Sequence, residues 1–248
     1  MRSGALRLLS RLHQPVMRSA RVALCLGIGA LPATAQHIAN ARYVDPTLRY
    51  AHGILGDGIE HGTLQLTLSD GQKLRIVLPV DRVFEDTSPR LADLDGDGKP
   101  EVIAVESSQT KGARLSIYSA QGLVASTPHI GRRNRWLAPI GAADLDGDGK
   151  IEIAYIDRPH LNKTLRIWRY DNRKLLEVGS LAGLTNHRIG ERDIAGGIRN
   201  CSGTPEMIVA TPDWTRLVAV TFRNGTLNAR DIGPHQDRSS FRSALTCP

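Results

Sequence analysis

The sequence of 248 residues predicts an all-β protein, a small β-propeller-like array of about four four-stranded blades. A motif rich in aspartate and glycine occurs twice, and Asp144 follows Asp93 by 51 residues. Each repeat contains four short segments of strand type separated by turn residues, and long amphipathic helices are absent from the pattern. Tandem four-stranded units are typical of propellers and related radial arrays. An open stack or a sandwich is the alternative, because four blades is the low end of propeller sizes.

The N-terminal segment, residues 1–35, predicts a cleavable export signal. It contains five arginines and no acidic residue, followed by an apolar run over residues 22–31 and the small-x-small pattern Ala33-Thr34-Ala35. The run is too short to span a bilayer. A mitochondrial transit peptide is the competing interpretation, and the initiator is either Met1 or Met17. We expect a secreted or periplasmic mature protein, residues 36–248, without a transmembrane segment.

Most of the excess positive charge lies in this leader. The whole chain has 32 Lys and Arg against 25 Asp and Glu, a formal net charge of +7. Without the five leader arginines the remainder is close to neutral, which disfavours nucleic acid as a partner. Because only 4% of the residues are aromatic, the core must consist mainly of aliphatic side chains.

The first unit of the mature chain, about residues 40–86, is divergent. Residues 63–68 and 73–78 flank Ser69-Asp70-Gly71 and predict a hairpin. Ahead of it, Asp57, Glu60 and His61 place three potential metal ligands close together. We interpret this group as a structural turn.

The next three units are about residues 85–135, 136–182 and 183–232. In the unit over residues 136–182 the predicted strands are residues 136–143, 151–156, 164–170 and 173–178, with Asp171-Asn172 as the last tight turn. The unit over residues 183–232 is degenerate, although Asn224-Gly225 retains a strong hairpin signal.

Two loops carry the strongest chemical signal in the chain. Acidic residues occupy positions 1, 3, 5 and 9 of each loop, glycine occupies position 6, and lysine occupies position 7. Oxygen ligands at this spacing can surround a hard cation such as Ca²⁺ where glycine permits the sharp turn, and position 7 offers its carbonyl. An EF-hand is excluded because position 12 is Ala104 or Tyr155 in place of glutamate. A metal-free Asp-Gly turn is the alternative.

The motif resembles the FG-GAP or VCBS family of repeats, the calcium-loop blades of integrin-alpha-like propellers, over about residues 85–232. The resemblance implies two Ca²⁺ sites. The first consists of Asp93, Asp95, Asp97, Glu101 and the carbonyl of Lys99, and the second of Asp144, Asp146, Asp148, Glu152 and the carbonyl of Lys150. The Phe-Gly and Gly-Ala-Pro signatures of the family are poorly kept, and position 9 is glutamate where aspartate is commoner.

The degenerate unit lacks the intermediate acids of the loop, so we expect no calcium there. Asp193 and Glu206 are separated by 13 residues, where the intact loops span 8 between their first and last acids. Cys201 lies in this segment, and Cys247 is the other cysteine of the mature chain. In an oxidising compartment the two predict one disulfide, which would substitute as the local staple; two unrelated thiols are the alternative.

Strand reversal predicts that the calcium loops lie at one end of the blades and a second set of connections at the other end. That opposite rim collects cations and indoles. We predict it as the docking face for a protein or an anionic or carbohydrate ligand, since arginine forks beside aromatic rings suit such groups. The candidate ligand-binding residues are Arg132, Arg133, Arg135, Trp136, His160, His187, Arg188 and Trp214.

Two classes of function follow from these observations. The first is an exported, calcium-braced, non-catalytic binding or scaffold module. The second is an exported hydrolase or lyase with an active site on the propeller rim. No nucleophile elbow, HExxH motif or dinucleotide fingerprint is present, so the sequence assigns no catalytic residue.

Overall fold

The computed structural model describes residues 36–247, so the predicted export signal lies outside the described residues. Within this range the chain forms antiparallel sheets of eight, four and four strands and one short helix. The all-β prediction is therefore confirmed. No helix among these residues is both long and apolar enough to cross a bilayer.

The N-terminal unit is a three-stranded meander. It consists of β1 (Ile38–Thr47), β2 (Glu60–Leu68) and β3 (Lys73–Val77), and β2 pairs with both neighbours. The β2–β3 turn has Gly71 at φ 87°, and Asp70 Oδ1 accepts a hydrogen bond from the Gln72 amide at 2.9 Å. The hairpin predicted around Ser69-Asp70-Gly71 is thus confirmed.

The second unit has a first strand that is split in two. The strands are β4 (Arg82–Phe84), β5 (Arg90–Ala92), β6 (Glu101–Ser108), β7 (Gly112–Ser119) and β8 (Gly122–Ser126). β4 and β5 both pair with β6, one along each half of its length. A single pair between His61 of β2 and Phe84 of β4 joins this unit to the N-terminal meander, which produces the eight-stranded sheet.

The third and fourth units are regular four-stranded meanders. The third contains β9 (Leu137–Ala143), β10 (Glu152–Asp157), β11 (Thr164–Asp171) and β12 (Lys174–Ala182). The fourth contains β13 (Gly197–Asn200), β14 (Pro205–Ala210), β15 (Arg216–Arg223) and β16 (Thr226–Pro234), followed by the helix α1 (Arg238–Leu245). The four strands predicted in the third unit differ from these bounds by at most a few residues.

The expected set of four separate four-stranded blades is not found. The first unit supplies three strands, and its link to β4 merges it with the second unit. No closed ring of blades is found within residues 36–247.

Successive units pack through mainly aliphatic cores, as the low aromatic content predicts. One cluster joins Leu115 and Ile117 of the second unit to Ile153 of the third. Another joins Ile167 of the third unit to Val220 of the fourth. β9 also contacts β13, and β12 contacts both β8 and β16. The units therefore follow one another in space in the order of the chain.

Strand reversal separates two ends of each unit, as predicted. At one end of the third unit, Glu152 is paired with both Ala143 and Arg169. At the other end, Asp157 is paired with Leu137 and Thr164. The six residues of β10 span about 20 Å at the usual rise of a strand. The acidic loops lie at the first end, and the arginine-rich connections lie at the second.

The predicted disulfide is present between Cys201 and Cys247, with their Cα atoms 5.3 Å apart. It ties the segment after β13 to the end of α1. Phe241 of this helix is buried against Ile208 and Ala219. The C-terminal segment is therefore held to the fourth sheet by both a covalent bond and an apolar contact.

Candidate metal sites and the opposite rim

The first acidic loop joins β5 to β6 and is organised by its own carboxylates. Asp93 accepts hydrogen bonds from the Gly96 amide at 2.8 Å and from the Gly98 amide at 2.9 Å. Glu101, the first residue of β6, accepts a hydrogen bond from the Leu94 amide at 3.0 Å. Because the first and last acids of the motif bind amides inside the loop, they fold it back on itself.

The second acidic loop joins β9 to β10 and repeats these contacts. Asp144 accepts from the Gly147 amide at 2.8 Å and from the Gly149 amide at 3.0 Å. Glu152 accepts from the Leu145 amide at 2.9 Å. Gly149 and its counterpart in the first loop have φ of 86° and 80°, values that favour glycine, so the same backbone path recurs because the same residues permit it.

Three carboxylates converge in each loop. The two groups are Asp93, Asp95 and Glu101 in the first loop and Asp144, Asp146 and Glu152 in the second. Within each group the ligand atoms lie within 4.8 Å of one another. Oxygens bound to one Ca²⁺ ion at 2.3–2.6 Å are separated by about 5 Å at most, so both donor sets have the chemistry and spacing for a hard cation.

The fifth-position aspartates lie outside these groups. Asp97 Oδ1 accepts from the Lys99 amide at 2.8 Å, and Asp148 Oδ1 accepts from the Lys150 amide at 2.9 Å. The resemblance assigns all four residues as ligands, the lysines through their carbonyls, and that assignment stays a prediction.

An arginine distinguishes the second loop from the first. Arg169 of β11 contacts Glu152 Oε1 at 2.6 Å, Asp146 Oδ2 at 2.6 Å and Asp148 Oδ2 at 2.9 Å. Its side chain is 19% exposed. Within 4 Å of a first-loop carboxylate oxygen, the described residues place one cation, Lys99, whose Nζ lies 3.8 Å from Asp97. The sequence motif gave no sign of Arg169, which lies 23 residues beyond Asp146.

Glu101 and Glu152, the closing glutamates at the last acidic position of each loop, differ in their electrostatics as a result. Burial raises the pKa of Glu101, and the charges of Asp95, Asp97 and Asp93 raise it further. Burial also raises the pKa of Glu152, but there the hydrogen bond and charge of Arg169 act in the opposite direction. The first loop therefore concentrates uncompensated negative charge, whereas the second compensates part of its charge internally.

In the fourth unit, the residue that corresponds to these glutamates is held by arginines. Glu206 of β14 pairs with Arg199 at 2.6 Å and with Arg230 at 2.8 Å. Burial tends to raise the pKa of Glu206, but the two arginines outweigh it and lower the pKa overall. The disulfide at Cys201 lies in the same connection.

At the opposite end, a cavity of about 240 Å³ is lined by several connections, through residues 52 and 54, 134–136, 158–161 and 189. Three predicted rim residues, Arg135, Trp136 and His160, line it. Two exposed aliphatic side chains, Leu161 and Ile189, border it at 64% and 70% exposure. The cavity thus combines two arginines, imidazole and apolar surface.

Other predicted rim residues lie elsewhere. Arg133 lies over the Tyr50 ring at 5.7 Å, and Arg188 lies over the Trp214 ring at 4.4 Å. Neither pair lines the cavity, and neither does Arg132. The structure therefore divides the predicted ligand face into separate groups.

His187 does not reach a ligand surface. It is fully buried, and its two ring nitrogens lie 3.0 Å from His160 Nε2 and 2.9 Å from the Glu191 carbonyl. Since the carbonyl can only accept, His187 Nε2 carries the proton, and His187 Nδ1 accepts from His160. The prediction of His187 as a contact residue is corrected to a residue that orients His160.

Trp136 is also buried, with 2% exposure, and its indole Nε1 donates to the Glu85 carbonyl at 2.8 Å. It lines the wall of the cavity as a packing residue. The sequence missed His52, which lines the same cavity and whose Nδ1 lies 2.5 Å from Glu85 Oε1. No local motif marks His52, because its partner comes from another unit.

The three candidate ligands of the first unit do not form a site. Glu60 is buried at the start of β2, while Asp57 lies in an exposed turn. His61 follows Glu60 in the strand, so their side chains point to opposite faces. Their interpretation as a structural segment fits this arrangement.

The fold and the loops define an all-β repeat protein with two acidic, cation-compatible loops. Residues 84–155 match the family model described as an FG-GAP-like repeat. The matched segment contains both loops, so the resemblance is confirmed for this part of the chain.

No curated protein matches the chain. Among solved structures, the rhamnogalacturonan lyase PL11 of Bacillus licheniformis is 17% identical, with a TM-score of 0.40 over 68% of this chain and 42% of that one. The exotype rhamnogalacturonan lyase YesX is 16% identical, with a TM-score of 0.40 over 68% of this chain and 40% of that one. This chain thus matches about two fifths of the length of each lyase. Likeness at this level says nothing about activity.

Proposed function

We propose that this protein is an exported, calcium-binding FG-GAP-like repeat protein that acts as a non-catalytic binding or scaffold module. The observation that carries the proposal is the convergence of three carboxylates within 4.8 Å in each of two equivalent loops. Unpaired carboxylates at this spacing repel one another, and a bound divalent cation removes that repulsion. Both loops lie at one end of their sheets, which leaves the other end free for a partner.

The loop residues have defined roles in this proposal. Asp93 and Asp144 hold the backbone turn through two amides each and present oxygen to the ion. Glu101 and Glu152 each lie at the start of a strand and bind an amide near the start of the loop. A cation held between them would fasten the loop to the sheet, which is a structural role.

Export is supported by the disulfide and by the leader sequence. Disulfides persist in oxidising compartments and are rare in the cytosol. The Cys201–Cys247 bond therefore supports a secreted or periplasmic location. We also propose that the units form a propeller-like array, because consecutive units pack against one another in chain order.

Calcium binding can be tested on the purified protein. We expect addition of Ca²⁺ to raise the melting temperature, with a Kd of about 10⁻⁴ to 10⁻³ M, as for other extracellular modules. Magnesium at the same concentration is the control, since it demands smaller and more rigid coordination. A melting temperature that is the same with Ca²⁺ and with a chelator would contradict the proposal.

For the opposite rim, we propose that the cavity lined by Arg135 and His160 takes an anionic or carbohydrate ligand. Arg135 contacts no carboxylate within residues 36–247, whereas Arg158, on the other side of the cavity, is paired with Asp157 at 2.8 Å. Arg135 is therefore free to pair with an acid group on a ligand.

The character of His160 favours binding over catalysis at this cavity. Burial, together with the neighbouring His187, lowers the pKa of His160 to about 4. The imidazole is consequently neutral at pH 7 and is too weak a base for efficient proton transfer. Its suitable role is as a hydrogen-bond partner for a ligand hydroxyl.

A glycan array containing neutral and acidic sugars tests this surface. We expect Arg135→Ala with His160→Ala to abolish capture of acidic glycans while calcium binding stays intact. Arg173→Ala, an exposed arginine at the loop end, is the matched control. Turnover of a bound sugar by the unaltered protein would instead support the hydrolase or lyase alternative.

A further inference from the structure

The two acidic loops share a backbone frame but differ at one position outside the motif. Arg169 is the register partner of Glu152 on the neighbouring strand. In the second unit, Val102 pairs with Tyr118 as Ile153 pairs with Trp168 in the third, so Ser119 occupies the place of Arg169 beside Glu101. The Ser119 hydroxyl donates to Gln121 at 2.9 Å and contributes no charge to the loop.

The guanidinium of Arg169 binds the same carboxylates that a cation would need. It takes one oxygen of Glu152 and one of Asp146, two of the three residues that converge in the second loop. A fork of N–H donors matches carboxylate oxygens well and carries one positive charge. A cation that binds through the same two oxygens must compete with the guanidinium for them.

Glu206 in the fourth unit is also paired with arginines of the chain, although these lie on β13 and β16 and not at the register position of Arg169. There the equivalent glutamate pairs with two arginines, Arg199 and Arg230. The three units therefore form a series with no arginine, one arginine and two arginines at the closing glutamate.

We propose that Arg169 takes the place of calcium in the second loop, so that the first loop binds the ion more tightly. This inference rests on the proposed calcium binding and predicts that the two loops differ in their affinity for the ion. The first loop depends on an external cation because its charge is uncompensated. The carboxylates of the second loop are paired with Arg169, so this loop binds calcium only in competition with that side chain.

The test is calorimetric titration of the full mature chain with Ca²⁺, with loop variants to assign the sites. We expect Asp93→Asn to remove the tighter site and Asp144→Asn to leave it unchanged. In the Asp93→Asn background, Arg169→Ser should tighten the remaining site by at least about tenfold, because it removes a competing charge in direct contact. The reciprocal variant Ser119→Arg should weaken the first site.

Arg173→Ser is the matched control, since it removes one positive charge near the loops without breaking an ion pair seen in the structure. Equal effects of Arg169→Ser and Arg173→Ser would overturn the inference, as would loss of the tighter site in Asp144→Asn. No Ca²⁺ binding by any variant would instead refute the proposed function itself. Far-ultraviolet circular dichroism verifies folding, and Ser119→Arg keeps the test decisive if Arg169→Ser does not fold.

Discussion

The first and second acidic loops have the same turn and the same closing hydrogen bonds, yet they handle charge differently. In the first loop, burial and three neighbouring aspartates all raise the pKa of Glu101. In the second, Arg169 contacts three carboxylates and opposes the effect of burial on Glu152. The motif therefore determines the path of the backbone, whereas a residue on a neighbouring strand determines how the charge is compensated.

The largest effect is expected in the fourth unit, where a disulfide lies in the connection that corresponds to the acidic loops. Cys201→Ser with Cys247→Ser opens a loop with a sequence separation of 46 residues. We expect the free energy of unfolding to fall by about 3–4 kcal/mol, measured by urea denaturation, because the unfolded chain gains freedom. The loss should be the same with calcium and with chelator. A loss that appears only in chelator would show that the disulfide and the acidic loops are coupled.

The next largest effect is a difference in the free energy of unfolding between variants of the two loops, measured in the presence of a chelator. Arg169→Ser leaves the buried Glu152 without its cation, so we expect the free energy of unfolding to fall by about 2–3 kcal/mol. Ser119→Ala, at the equivalent position of the first loop, should change it by less than about 0.5 kcal/mol. Urea denaturation of both variants measures the difference. Similar losses in the two variants would contradict an internal brace in the second loop.

The smallest effect is a difference in pH dependence between Glu101 and Glu206 in chelator. The pKa of Glu101 is raised by burial, so its ionisation costs stability above the unfolded-state pKa, and Glu101→Gln should stabilise the protein at pH 7 more than at pH 4. The pKa of Glu206 is lowered overall because its arginines outweigh burial, so it contributes stability at pH 7 that is lost in acid.

Glu206→Gln should therefore destabilise the protein at pH 7, by about 1 kcal/mol, and this loss should shrink toward pH 4. Thermal melting of both variants across this pH range measures the two slopes. Slopes of the same sign would remove the distinction between the arginine-free and the arginine-paired units.

Much of the local structure was predictable from the chain. The strands of the third unit, the hairpin before Lys73 and the two acidic turns depend on residues that are close in sequence. The alternation of apolar residues in strands and the presence of glycine in turns each involve only a few neighbouring positions. Both patterns can therefore be recognised without knowledge of the fold. The disulfide was also predictable, since only two cysteines follow the leader.

The features that the sequence did not predict all depend on contacts between distant segments. His52 meets Glu85 across 33 residues, and His187 is buried where a solvent-facing loop residue was expected. The joining of the first two units through His61 and Phe84 likewise replaced the expected separate blades. Composition and spacing carry no information about which strand lies beside which.

Turn and strand preferences act between near neighbours, so the order of the amino acids is enough to specify a β-rich repeat with two turns that present carboxylates. Which of those carboxylates meet a cation of the chain depends on the folded arrangement of the strands. The reason is register: Arg169 faces Glu152 only because β10 and β11 pair as they do, and the equivalent pairing in the second unit brings Ser119 to that place. One position across a sheet thus distinguishes two loops that are nearly identical in sequence.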